Sequence, residues 1–271
     1  MELKEKKRAL EERLAGLGSV AVAFSAGMDS TLLLKVAHDV LGEKAMAVTV
    51  RSAFTPEREA AEAAEFCAKE GIRHSILTVD VLSVPGVAGN PPDRCYLCKK
   101  ALFGRIFEEA RANGLAYVAE GSNMDDLGDY RPGLAAIKEL GAVSPLQEAG
   151  LFKAEIRELS RELGLPTWDK SAYACLASRF VYGETITPEK LAMVDKAEQR
   201  LLELGFRQFR VRVHGDLARI EVEPGDLPRL TEGGTARELN SFLRSLGFSF
   251  VTADLGGYRM GNMNKGLTIE E

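Results

Sequence analysis

The stretch Val20-Ala21-Val22-Ala23-Phe24-Ser25-Ala26-Gly27-Met28-Asp29-Ser30 decides how this chain is read. Its first five residues are wholly apolar, the pattern of a parallel strand buried on both faces. The last six are mostly small or polar. Beyond them Leu33, Leu34, Ala37 and Val40 fall at helical spacing from Thr31 to Leu41, with Gly42 as the stop. A strand that passes through small residues into a helix offers unpaired N–H groups at the positive end of the helix dipole, which is an anion site. Ser25 and Ser30 add hydroxyl donors, and Gly27, next to Met28, lets backbone approach a phosphate closely. Asp29 is the odd member, because a carboxylate repels phosphate. Its presence makes sense beside a bound Mg²⁺, or as an internal cap of the loop. An ordinary N-capped helix is the competing reading. The loop lacks the Gly-Lys-Ser/Thr of a Walker motif and is not the Rossmann fingerprint.

Outward from this loop the same alternation continues. Ala45 to Val50 and His74 to Val79 read as strands, with a helix from Pro56 to Glu70 between them. A helix from Ala101 to Asn113 precedes a strand, Ala116 to Ala119, and a further helix runs from Lys153 to Leu163. Such alternation predicts an α/β fold with a parallel sheet covered on both faces and ligands at the carboxyl ends of its strands. After an aperiodic segment, a helix from Pro188 to Leu204 leads to strands Phe209 to His214 and Ala218 to Val222, joined at Gly215-Asp216. A helix from Thr235 to Leu246 and a strand from Phe248 to Leu255 complete a smaller α+β domain. The expected domains are 1–165 for the anion loop, 166–187 as a linking loop, and 188–271 for the smaller domain.

The bulk numbers agree with two domains: 271 residues, of which 45% are hydrophobic and 28% charged, is a globular balance. A net charge of −5 argues against a broad nucleic-acid face. No apolar run reaches the ~20 residues that span a bilayer. The charged N-terminus is followed by no apolar signal core, so a cytoplasmic location is expected. In a reducing compartment the four cysteines are not expected to form disulfides. Cys67, within a helical run, reads as a small buried apolar group.

The hexapeptide Ser25 to Ser30 resembles the Ser-Gly-Gly-x-Asp-Ser loop of PP-loop ATP pyrophosphatases, with Ala26 in place of the first glycine. That family cleaves ATP between the α and β phosphates and adenylates a substrate oxygen. A Cβ at position 26 restricts a positive φ, so a slightly different loop is expected. Four further segments are similar to the LarE family. They are Gly121-Ser122-Asn123-Met124-Asp125-Asp126 with Asp129-Tyr130-Arg131-Pro132-Gly133; Ser144-Pro145-Leu146; Ala174-Cys175-Leu176-Ala177-Ser178-Arg179; and Gly257-Tyr258-Arg259-Met260-Gly261-Asn262-Met263-Asn264. Ser171 departs from the pattern, where proline is expected before the cysteine loop. The resemblance implies a PP-loop (adenine nucleotide alpha hydrolase-like) domain. It also implies Mg-ATP-dependent adenylation of pyridinium-3,5-biscarboxylic acid mononucleotide, then sulfur transfer to give a thiocarboxylate on the way to the nickel-pincer nucleotide. It points to Gly121 and Asp125 as further ATP-loop residues and to Ser178 beside the substrate. Some members of the family sacrifice a single cysteine, which becomes dehydroalanine; others hold a [4Fe-4S] cluster on three.

Cys95-Tyr96-Leu97-Cys98 follows Asn90-Pro91-Pro92-Asp93 on a loop entering a helix, and two thiolates at that spacing chelate one metal or cluster. With Cys175 they make three ligands, which suits an Fe–S cluster with one open iron. Zinc with an open position, a redox dithiol and three unrelated structural cysteines are the rivals. Arg94, Lys99, Lys100 and Arg179 favour thiolates. Lys153 is a phosphate candidate. Arg210 and Arg212, two apart on a strand, share a face and are candidates for an anionic substrate, with Arg179 near the sulfur. Glu198, Glu221 and Glu223 are candidate Mg²⁺ or substrate ligands, against the reading of a solvated acidic face. The expected activity is an ATP-dependent sulfur transferase acting on the pyridinium mononucleotide as a homo-oligomer. A PP-loop tRNA thiolase, a sacrificial-cysteine donor and a nucleotide sensor without turnover are the alternatives.

Overall fold

The apolar run forms β1 (Val20–Ala23) of a computed structural model that describes residues 2–127, 132–170, 174–259 and 262. The quoted positions Asp129, Tyr130, Arg131, Ser171, Met260, Gly261, Met263 and Asn264 lie outside the described residues. The chain divides into two units, Met1–Val84 with Cys95–Tyr173, and Pro85–Arg94 with Ala174–Glu271.

In the first unit β1 pairs in parallel with β2 (Ala45–Arg51), which pairs with β3 (Arg73–Thr78); on its other side β1 pairs with β4 (Tyr117–Ala119). The sheet order is β3-β2-β1-β4, all parallel. Val20 and Val22 pack into a core with Leu10 and Leu14 of α1 (Leu3–Leu17), Leu33 and Leu34 of α2 (Met28–Leu41), Phe66 of α3 (Glu57–Glu70) and Ile156. Ala21, on the opposite face, packs with Phe103 and Ile106 of α4 (Arg94–Ala112) and with Ile137 of α5 (Pro132–Glu139). A strand buried on both faces is therefore apolar throughout. Two shorter helices, α6 (Pro145–Glu148) and α7 (Lys153–Glu162), close the unit.

The second unit is built on α8 (Pro188–Glu203), whose Leu191, Val194, Ala197 and Leu201 are buried. Its sheet has the order β5-β6-β7, from β5 (Phe209–His214), β6 (Leu217–Val222) and β7 (Phe250–Ala253). β5 and β6 are an antiparallel hairpin, while β7 joins β6 in parallel. The parallel crossover is carried by α9 (Leu227–Thr231) and α10 (Gly233–Ser245). Phe206, Phe209, Val211, Leu239 and Leu243 fill this core, each buried side chain contributing about 1.5–3 kcal/mol. No helix among the described residues is long and apolar enough to cross a membrane.

Candidate functional site

The loop after β1 is held from both ends. Phe24 N–H donates to Val48 O at 2.9 Å, and Thr49 Oγ1 donates to Phe24 O at 2.9 Å. That hydroxyl has its proton on a carbonyl, so its 2.8 Å contact with His74 Nε2 requires the histidine to donate. Burial holds the His74 ring below its ordinary pKa. Ala26 adopts φ 52°, so the Cβ expected to alter the loop is instead accommodated in the left-handed region, at a cost of about 1–2 kcal/mol. Lys170 Nζ donates to Ala26 O at 2.9 Å and pairs with Glu62, fixing that strained residue.

α2 starts at Met28, so Asp29 and Ser30 stand in its first turn rather than in a loop before it. Ser30 Oγ accepts from Ser25 N–H at 3.3 Å and lies 3.1 Å from Ser25 Oγ. Gly27 serves as N-cap with ordinary φ −83°, and its carbonyl accepts from Thr31 Oγ1 at 2.8 Å.

Three distant segments meet this turn. Asp29 Oδ2 accepts from Lys153 Nζ at 2.8 Å, and Asp29 Oδ1 accepts from Asn123 Nδ2 at 3.3 Å. Lys153 N–H in turn donates to Asp125 Oδ2 at 2.6 Å. Gly121 lies so close that a Cβ there would stand 3.2 Å from Ser30 N and 3.4 Å from Asp29 Cβ. Glu120, which ends the β4 segment, accepts from Ser122 N–H and Oγ at 3.0 and 2.8 Å and also from Ser144 Oγ. Ser25, Gly27, Met28, Asp29, Ser30, Gly121, Asp125 and Lys153 are thus brought together around the N-terminus of α2. Sequence reasoning missed Lys170, Glu62 and Glu120, because only tertiary contact joins them to the loop.

The second unit carries a buried ionic network. Arg179 is fully buried and grips both oxygens of Glu198, at 2.8 and 2.7 Å. Its remaining NH1 donates to Ala174 O, Cys175 O and Ser178 Oγ, so it moulds the backbone that presents the exposed Cys175. Glu198 also accepts from Val211 N–H at 2.9 Å. Burial alone would push Glu198 up, but the Arg179 charge and hydrogen bonds, with Arg210 and the Val211 amide, outweigh it and hold the carboxyl below its ordinary range.

Arg212 binds Glu221 Oε2 through two nitrogens, at 3.0 and 2.9 Å, and Ser178 O at 2.9 Å. Glu221 Oε1 accepts from Arg219 at 3.1 Å and from Asn262 Nδ2 at 2.7 Å. Arg210 is buried with its guanidinium 5.0 Å from the Tyr258 ring centroid; desolvation and the Arg179 charge bring it down to about 10. Arg210 and Arg212 share a face as expected, but that face is buried rather than solvated. Glu198 and Glu221, expected as Mg²⁺ ligands, have every oxygen engaged by arginine or amide donors, so a cation there has to displace arginines. Glu223 is exposed, at the N-cap of the short turn that follows β6.

Cys95 and Cys98 fall in the first turns of α4, three apart and so on one helical face, not on a loop before it. Cys98 is buried and Cys95 half-buried. A Cβ on Gly133 would stand 2.7 Å from Cys95 Sγ, so the bare glycine makes room for that sulfur. All four cysteines are free thiols, and Cys67 is a core residue whose thiol burial pushes up to about 12. Among the described residues no three His, Cys, Asp or Glu side chains are grouped to hold a metal ion.

No protein-family model matches the chain. It is 43% identical over 270 residues to the pyridinium-3,5-bisthiocarboxylic acid mononucleotide synthase of Lactiplantibacillus plantarum, covering 98% of this chain and 96% of that one. It is also 43% identical over 266 residues to an uncharacterized protein of Synechocystis, covering 98% and 99% of the two chains. A more distant likeness, 28% over 207 residues, is to a chain of the glutamine-hydrolyzing GMP synthase of Thermoplasma volcanium, covering 69% of this chain and 65% of that one.

Proposed function

Because this chain belongs to the pyridinium-3,5-bisthiocarboxylic acid mononucleotide synthase family, we propose that it inserts sulfur into a pyridinium biscarboxylic acid mononucleotide at the expense of ATP. The observation that carries the reading is the identity with that synthase along nearly the whole of both chains. The arrangement around the N-terminus of α2 supports this chemistry. ATP binds as the Mg²⁺ complex with its phosphates at the N-terminus of α2, against Ser25, Gly27 and Ser30. Lys153 would turn from Asp29 to the phosphates, and Asp29 would then be able to hold Mg²⁺. A substrate carboxylate oxygen attacks the α-phosphorus, and the bond to pyrophosphate breaks. A sulfur nucleophile next attacks the acyl carbon, AMP leaves, and a thiocarboxylate remains, a step toward a nickel-pincer cofactor.

The acceptor carries a phosphate and two carboxylates, and the second unit has cations to meet them. Among the described residues the guanidiniums of Arg179, Arg210, Arg212 and Arg219 lie among the carboxylates Glu198, Glu221 and Asp254. A guanidinium cluster of this kind suits an anionic substrate held beside Ser178.

For the sulfur source we favour Cys95, Cys98 and Cys175 as ligands of a [4Fe-4S] cluster. Two of these thiols, Cys95 and Cys98, share one helical face, with Gly133 leaving room beside the first, and a cluster requires Cys175 to join them. Such a cluster supplies an open iron able to carry exogenous sulfide. The enzyme is proposed to act in the cytoplasm as a homo-oligomer. Incubation with Mg-ATP, the mononucleotide and sulfide under anaerobic conditions is the test. Formation of AMP, pyrophosphate and a thiocarboxylate of the expected mass is the predicted result; ATP binding without pyrophosphate release makes the protein a sensor instead.

A further inference from the structure

Arg94 is 7% exposed, yet both of its side-chain acceptors are neutral: Asn90 Oδ1, and Ala177 O at 2.9 Å. Among the described residues no carboxylate pairs with it, whereas Arg179 and Arg212 each hold a glutamate. Both acceptors engage NH1 alone. Its Nε and NH2 donate to no group among the described residues, so that edge of the guanidinium is open to an acceptor. Burying a cation beside neutral groups is costly unless an anion completes the site.

The surroundings of this cation are built rather than accidental. Asn90 is fully buried, takes the strained φ 52°, and donates through Nδ2 to Val181 O at 2.7 Å. Gly183 N–H returns a bond to Asn90 O at 2.9 Å, and Ile186 N–H reaches Ala88 O at 2.8 Å. The Pro85–Arg94 segment is thereby stitched to the strip that follows Cys175. Arg94 also opens α4, a helix of 19 residues, so the positive end of a long dipole adds to its charge. In sequence Arg94 adjoins Cys95, and the carbonyl it grips belongs to the second residue after Cys175.

We infer that Arg94 is the binding residue for a small anion in the sulfur-transfer half of the reaction. The anion is either the hydrosulfide that supplies sulfur or a carboxylate of the acceptor; a guanidinium edge recognises both. The inference rests on the sulfur-transfer reading above, but its first test does not. Crystals of the full-length protein soaked in sodium bromide should show an anomalous peak on the open edge of Arg94. The same soak of Arg94→Gln should show none. Steady-state thiocarboxylate formation by Arg94→Gln then distinguishes the sources. A KM for sulfide raised about tenfold or more identifies the sulfur donor; an equal rise in KM for the mononucleotide identifies the acceptor. Arg94→Lys should recover part of either loss. No bromide at Arg94 in the wild-type crystal overturns the inference, whatever the activity. So does bromide that binds while both constants stay unchanged in a folded Arg94→Gln protein, since the ion is then adventitious. If the wild-type protein makes no thiocarboxylate but bromide does bind, the sulfur-transfer reading fails while the anion site stands.

Discussion

At the scale of single residues the ATP loop turns on Asp29. Its carboxylate holds Lys153 at 2.8 Å and Asn123 at 3.3 Å, beside the loop proposed to bind ATP. Asp29→Ala is expected to lower ATP-dependent pyrophosphate release by about 10²-fold or more, the cost of losing an oriented charge at a reacting phosphate. Unchanged release in a protein with native circular dichroism sinks that role. Glu198 invites a different experiment, on stability. Its folded pKa lies below the ordinary carboxylate value, so the native state favours the ionised form. That stabilisation is complete above the unfolded pKa and is lost as pH falls through the folded one. Urea unfolding of the wild type should show falling stability below about pH 4.5. Glu198→Gln should lose about 3–5 kcal/mol at neutral pH, because it breaks the buried ion pair with Arg179. It should also show a smaller loss of stability on acidification. The residue types of this site were legible: Ser25, Gly27, Asp29 and Ser30 stand together in the chain. Their partners were legible only as motif likeness, and Lys170 not at all, since no local pattern marks a lysine that reaches Ala26 O from 144 positions away.

At the scale of elements the strands and long helices followed from periodicity, because apolar spacing is a local property of the chain. The shorter pieces were not legible. α5, α6 and α9 are 8, 4 and 5 residues long, so none displays an apolar stripe much beyond two turns. α4 begins at Arg94 instead of Ala101. The Cys-Tyr-Leu-Cys stretch has no strong stripe of its own, and the paired prolines ahead of it read as loop. This shift matters, since it turns a flexible dithiol loop into two sulfurs on one rigid face. α5 packs on that face through Gly133, where any Cβ would stand 2.7 Å from Cys95 Sγ and 3.0 Å from Lys99 Cγ. Gly133→Ala must therefore displace Cys95 or part the two helices. Thiocarboxylate formation is expected to fall about tenfold or more, with pyrophosphate release little changed, because the ATP loop takes no part in these contacts. Equal loss of both half-reactions would mean that α5 supports the unit as a whole rather than the sulfur.

At the scale of the molecule, the split into two units assigns Pro85–Arg94 to the second, though its sequence neighbours Val84 and Cys95 belong to the first. Composition gives no warning of this, because the stitching runs through backbone groups and the buried Asn90. The same division separates the thiols. Cys95 and Cys98 belong to the first unit and Cys175 to the second. The sacrificial route requires only Cys175, which is exposed and held on backbone moulded by Arg179. Anaerobically reconstituted protein should carry an oxygen-sensitive visible absorption and bind about four irons per chain if all three cysteines serve. Each of Cys95→Ala, Cys98→Ala and Cys175→Ala should then lose the chromophore and the sulfur transfer. Supplied sulfide should support many turnovers of the wild type, and intact-mass measurement afterwards should find the polypeptide unchanged. Under the rival route Cys95→Ala and Cys98→Ala stay active, each chain delivers at most one sulfur, and Cys175 is recovered as dehydroalanine. That last mass change is the deciding observation. It arises only if the cysteine sulfur itself attacks the adenylated carboxylate and the carbon–sulfur bond of the side chain then breaks, a bond that a cluster-borne sulfide leaves intact.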